Sequence, residues 1–166
     1  MKRNALALIV TASAALALLP GTAATQEKNA QAKRDIAVWA DSFTTAFSPG
    51  WWDGEMQAFD AKGNATETTS NPSCIKAGES NKLAADMREA MTMLADVGDC
   101  TSQSGGQGSL NLEMRCSVGD RQVNFLSKGQ YSDGKVDWAV DFTFTGPDAP
   151  KGQSMKVSAR RTRKNC

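Results

Sequence analysis

The sequence predicts an α+β domain: a curved antiparallel β-meander of about six to seven strands, one amphipathic helix packed on it, a short N-terminal helix and two disulfides. Three observations lead there. From Cys100 onward apolar residues recur at every second position between Gly- and Asp-containing turns, as strands with one buried face require. One stretch upstream keeps its apolar residues at helical spacing instead. Four cysteines without a CxxC pair stand in a chain that opens like an exported one, and an even count in an oxidising compartment favours disulfides.

The opening residues come first. Met1-Lys2-Arg3 supplies a positive n-region, Ala5 to Leu19 is an uncharged apolar run, and Pro20-Gly21 precedes the small residues Thr22-Ala23-Ala24. That order is expected of a signal peptide over residues 1–23, with cleavage after Ala23 or Ala24. An apolar run of about 15 residues falls short of the roughly 20 that span a bilayer, so no transmembrane segment is expected in the mature chain. Without residues 1–23, Lys plus Arg falls from 19 to 17 against 18 acids. Such a neutral balance argues against nucleic acid as a partner.

Residues 24–47 form a polar segment and helix, in which QEKNAQAKRD is followed by Ile36, Trp39, Phe43 and Phe47 at helical spacing; Ser48-Pro49-Gly50 ends it. Residues 48–166 are expected to form the disulfide-stapled antiparallel β domain. WWDGEMQAFD reads as a half-buried strand with Trp52, Gly54, Met56 and Ala58 on one face and Trp51, Glu55 and Gln57 on the other. The turn DAKGN then leads to a threonine-rich partner, ATETTS. In ESNKLAADMREAMTMLADVG, Leu83, Met87, Ala90, Met91 and Leu94 mark one face of a helix, with Ser80 as N-cap and Gly98 as stop. Met87 and Met91 read as core filling rather than as copper ligands, because no His or Cys is near.

After Cys100 the inward positions are Leu110, Leu112, Met114 and Cys116, then Val123 and Phe125, then Val136, Trp138, Val140, Phe142 and Phe144, and last Met155, Val157 and Ala159. The segment from Cys100 to Cys116 bends in SGGQG; centring the hairpin on Gly108 sets the two cysteines opposite each other, within the Cα separation a disulfide accepts. Cys100 to Cys116 with Cys74 to Cys166 is therefore the favoured pairing, and Cys74 to Cys100 with Cys116 to Cys166 the alternative.

The chain has no histidine. That excludes Ser-His-Asp and Cys-His catalysis and His-ligated zinc or haem. Asp137 and Asp141 sit about 13 Å apart along one strand, beyond the spacing of a glycosidase pair, and read as solvated. No enzyme activity, metal or cofactor is expected.

SPGWWDGEMQ, the Cys-Ile pair at Cys74, the cysteine at 100 opening a hairpin, Met114-x-Cys116 closing it and a basic pair before Cys166 occur in one order. In that order the chain resembles the domain of unknown function 3617 family of exported Gram-negative proteins over about residues 48–166. This chain has Trp51-Trp52-Asp53 where that family usually has Leu-Trp-Glu. The resemblance implies fold and location, namely a periplasmic protein of a Gram-negative bacterium, and no established activity, substrate or cofactor.

Two functions are expected on these grounds. The first is a non-enzymatic module, acting as a monomer, that binds a small apolar ligand or an envelope component. Its best exposed contact is Trp51, since adjacent strand residues face opposite ways and Trp51 and Trp52 cannot both be buried in a one-sided sheet. The second is an envelope protein-interaction or structural module that docks through the basic C-terminal rim of Arg160, Arg161, Arg163 and Lys164.

Overall fold

The computed structural model describes residues 20–166 except 71, 133, 150 and 151, with side chains from Ala23 onward. Most of the expected signal peptide lies outside these residues; its last four, Pro20 to Ala23, begin the first helix. That helix, α1, spans Pro20–Ala46. It is therefore a long helix and not the short one expected, because the polar stretch before Ile36 is rich in the helix formers Ala, Gln, Glu and Lys. Proline is tolerated in its first turn, where no backbone N–H partner is lost.

The strands are β1 (Gly50–Phe59), β2 (Ala65–Ser70), β3 (Ser73–Ile75), β4 (Asp99–Ser104), β5 (Leu112–Val118), β6 (Arg121–Ser132), β7 (Lys135–Thr145) and β8 (Gln153–Arg163), with helix α2 (Glu79–Val97) between β3 and β4. All pair antiparallel in one eight-stranded sheet of order β2-β1-β8-β7-β6-β5-β4, with β3 on β1. The count exceeds the six to seven expected. β3 is a three-residue strand too short to show a period. The meander also runs only from β4 to β8, since the β1–β2 hairpin inserts beside the C-terminal strand. Gly50 makes that insertion possible: its φ is 143°, and a Cβ there would collide with the Arg163 carbonyl oxygen.

Cross-strand partners share a face, which fixes the inner one. Leu112, Ser127, Val140 and Met155 form one row across it, and Met114, Phe125 and Phe142 form the next. α1 packs on this face through Ala32, Ile36, Trp39, Ala40, Phe43 and Ala46. At the centre Trp39 Nε1 donates to Ser127 Oγ (3.0 Å) and to the Leu110 carbonyl (3.1 Å), while Trp138 Nε1 donates to the same hydroxyl at 2.8 Å and that hydroxyl donates to Leu110. One donor and two lone pairs are the whole capacity of a serine, so this buried polar knot leaves nothing unpaired. Asn29 binds both the Gly98 carbonyl and the Cys100 N–H, at 2.8 and 2.9 Å, and so covers part of the β4 edge.

α2 departs from its expected role. It packs on α1 and barely meets the sheet. Its buried residues are Ser80, Ala84, Met91 and Ala95; Met87 and Leu94 are half-buried, and Leu83 and Ala90 are exposed. The face is rotated because small residues allow two helices to approach closely, and α1 already occupies the position over the sheet that the apolar stripe was expected to take. Ser80, expected as N-cap, is the second residue of the helix, and Gly78 at φ 86° takes the cap position.

Candidate functional site

α1 crosses the inner face as a diagonal. Asn29 lies against Cys100 at one corner, and Phe47 reaches Trp52 and Trp138, at ring distances of 5.7 and 6.3 Å, at the other. Beyond Phe47 the chain turns away through Ser48 into β1, so the remaining corner of the face has no helix over it. Phe142 and Phe144 of β7, Met155 and Val157 of β8, and Ala58 of β1 are half-buried there, and Met56 is 39% exposed. Four to six residues farther along, β7 is buried at Trp138 and Val136, and β1 at Trp52.

Within this corner lies a cleft of about 600 Å³ with Ala58, Val140, Phe142 and Met155 as its apolar lining. Thr66, Glu67 and Gln153 supply polar groups at its edge. Glu67 stands directly across from Ala58 and so belongs to the inner face. The aromatic row of the core runs into the cleft: Trp39 meets Phe125 edge-on at 5.6 Å, Phe125 meets Phe142 at 4.8 Å, and Phe142 stacks on Phe144 at 6.4 Å. The cleft wall is therefore continuous with the rigid centre.

Two of the cleft's polar residues brace the hairpin that frames it. Thr66 Oγ1 donates to the Ala58 carbonyl at 3.2 Å, and Asp60 accepts from the backbone of Lys62 and Asn64 and closes the β1–β2 turn.

The residues singled out in the sequence scatter. Trp51 and Trp52 do face opposite ways: Trp52 is 3% exposed with its Nε1 on the Ser48 carbonyl, whereas Trp51 is half-buried on the outer face under the Arg163 guanidinium, 5.1 Å from the ring centroid. Arg161 is half-buried and donates to Ser48 Oγ at 2.5 Å. Arg160, Arg163 and Lys164 are exposed. Arg161, opposite Trp52, turns to the inner face, whereas Arg160, opposite Asp53, and Arg163, opposite Trp51, share the outer one because the strand register shifts between Trp51 and Trp52.

The cysteines stand in two pairs at disulfide distance, Cys100 with Cys116 (Cα–Cα 4.1 Å) and Cys74 with Cys166 (5.7 Å). In the first, the two residues are direct cross-strand partners, as the hairpin centred on Gly108 predicts. Asp137 is exposed on the outer face, where Ser158 Oγ donates to it at 2.7 Å.

No family model matches the chain, and no curated protein or solved structure matches it. Function is accordingly read from the geometry. No described helix is long and apolar enough to cross a membrane.

Proposed function

We propose that the protein is a non-enzymatic periplasmic module that binds a small apolar ligand or an apolar part of an envelope component in the corner cleft. The observation that carries this reading is the apolar sheet surface that α1 leaves uncovered around Val140, Phe142 and Met155. Its volume of about 600 Å³ falls within the roughly 300–1,000 Å³ of small-molecule sites, and an apolar floor with few polar groups at the rim is their usual chemistry. Two cysteine pairs at disulfide distance are compatible with an oxidising compartment such as the periplasm.

Binding of a neutral apolar fluorophore such as N-phenyl-naphthylamine tests it. Met155→Lys places an ammonium in the cleft and is expected to weaken binding at least ~10-fold, since desolvating a charge is costly. Because Met155 is only half-buried, the fold should persist. Equal binding by both proteins would refute the site.

A second reading keeps the C-terminal rim as a dock for an anionic envelope partner, with Arg160, Arg163 and Lys164 as its exposed cations. At about 1 kcal/mol per cation near an anionic surface, attachment through these three is weak and salt-sensitive. Neutralising all three should abolish binding to anionic vesicles at low salt.

A further inference from the structure

Trp51 stands apart from the other three tryptophans. Trp39, Trp52 and Trp138 are 1%, 3% and 8% exposed, whereas Trp51 is half-buried on the outer face. Its cover there comes from both neighbouring strands. Cys74 of β3 is its cross-strand partner on one side and Arg163 of β8 on the other, and such partners share a face. The three residues after Arg163 end in Cys166, which stands at disulfide distance from Cys74 with Cα atoms 5.7 Å apart. The end of β8 is thus tied past β1 to β3. Three residues reach about 10 Å at most, roughly two strand spacings, so the closed tail stays beside Trp51.

Weaker contacts hold the rest of that end. The β1–β8 register shifts between Trp51 and Trp52 and skips Thr162, which sets the Trp51–Arg163 pair off from the regular ladder. Beyond the shift, Thr162 Oγ1 donates to the Trp51 carbonyl at 3.3 Å, and the Arg163 guanidinium lies over the indole. Thr162 and Arg163 are both exposed, and a cation–π contact at an exposed site is too weak to keep a strand end closed.

We propose that the Cys74–Cys166 disulfide is a strap that an external dithiol opens, and that opening it uncovers Trp51. Access selects this pair: Cys166 is exposed and Cys74 half-buried, while Cys100 and Cys116 are 0% and 2% exposed. One thiolate of the dithiol attacks Cys166 Sγ, the bond to Cys74 breaks and a mixed disulfide forms. The second thiol then displaces Cys166, so the dithiol leaves as its own disulfide, and two electrons and two protons pass to the cysteine pair. β8 keeps its ladder with β7 from Lys135 to Phe142 and with β1 from Trp52 to Phe59, so the opened protein stays folded well below its thermal midpoint.

Limited treatment of the folded, oxidised protein with dithiothreitol, followed by iodoacetamide and peptide mapping, reads the chemistry. Cys74 and Cys166 should be labelled at least ~10-fold faster than Cys100 and Cys116, since exchange follows access. Acrylamide quenching of tryptophan fluorescence reads the cover, because the other three indoles are buried. Opening a half-covered ring about doubles the surface that solvent meets, so the quenching constant should rise about 2-fold. Arg163→Ala should raise it without any dithiol, Cys74→Ser with Cys166→Ser should keep it high whether or not dithiol is added, and Trp51→Phe should abolish the rise. Labelling of Cys74 and Cys166 before any dithiol is added, labelling of both pairs at one rate, selective labelling with unchanged quenching, or a rise that persists in Trp51→Phe would overturn the proposal.

Discussion

Trp39→Ala is expected to leave the protein unfolded or barely folded. Trp39 is buried at the meeting of helix and sheet, with ring contacts to Phe43, Phe125 and Trp138 at 6.0, 5.6 and 6.4 Å. Removing a buried tryptophan costs about 3–5 kcal/mol through lost transfer energy and the cavity left behind. A domain of this size holds only about 5–15 kcal/mol in all. Trp39→Phe separates packing from hydrogen bonding, since it keeps most of the ring and deletes only the N–H shared by Ser127 and Leu110. Ser127 would still donate to Leu110 and accept from Trp138, so a cost of about 1–2 kcal/mol is expected for the milder variant. Urea unfolding should rank the two far apart. Equal midpoints would mean that α1 is an appendage and not part of the core.

The second large effect is expected from Cys74→Ser with Cys166→Ser, made together so that no thiol is left over. The two residues lie 92 apart in sequence, and closing a loop of that length contributes about 4–5 kcal/mol in the chain-entropy account. Cys166 is exposed and Cys74 half-buried, so little packing changes with the substitution. The thermal midpoint should fall by about 10–20 °C, at roughly 2–5 °C per kcal/mol for a domain of this length. The link ties the C-terminus beside β3 to the strand pair β1 and β8. An unchanged midpoint would show that this closure does not restrain the unfolded chain.

Much of the fold was legible because the signals were local. The period-two runs of β5 to β8 and the turns between them sit where alternation places them, and the Cys100–Cys116 pairing follows from hairpin arithmetic. What was hidden depended on choices between distant segments. Two amphipathic helices competed for one sheet face, and the sequence does not say which wins; α1 does, through Ile36, Trp39 and Phe43, and α2 is displaced onto it. The stripe of α2 that looked like core is consequently partly exposed at Leu83 and Ala90.

The cleft was missed for the same reason. Its residues had been assigned to the core one by one, as inward-facing positions on good strands. A signal was nevertheless present: Val136 to Phe144 keeps one apolar face over about 27 Å of strand, far more than a helix about 10 Å across can cover. Among the described residues the half-buried apolar positions at one end of that strand, Phe142 and Phe144, mark where the cover stops. Trp51 was read from the opposite logic, as the indole left over on the wet face, and there Arg163 lies over it.

The cleft around Val140, Phe142 and Met155 is the proposed ligand site. Native mass spectrometry of the protein isolated without detergent or organic solvent from the periplasm of an expressing Gram-negative bacterium tests it most directly. A small apolar molecule is expected on the original protein, released by solvent extraction and absent from the folded Met155→Lys variant. Bare chains in both preparations, or the same adduct on both, would contradict it.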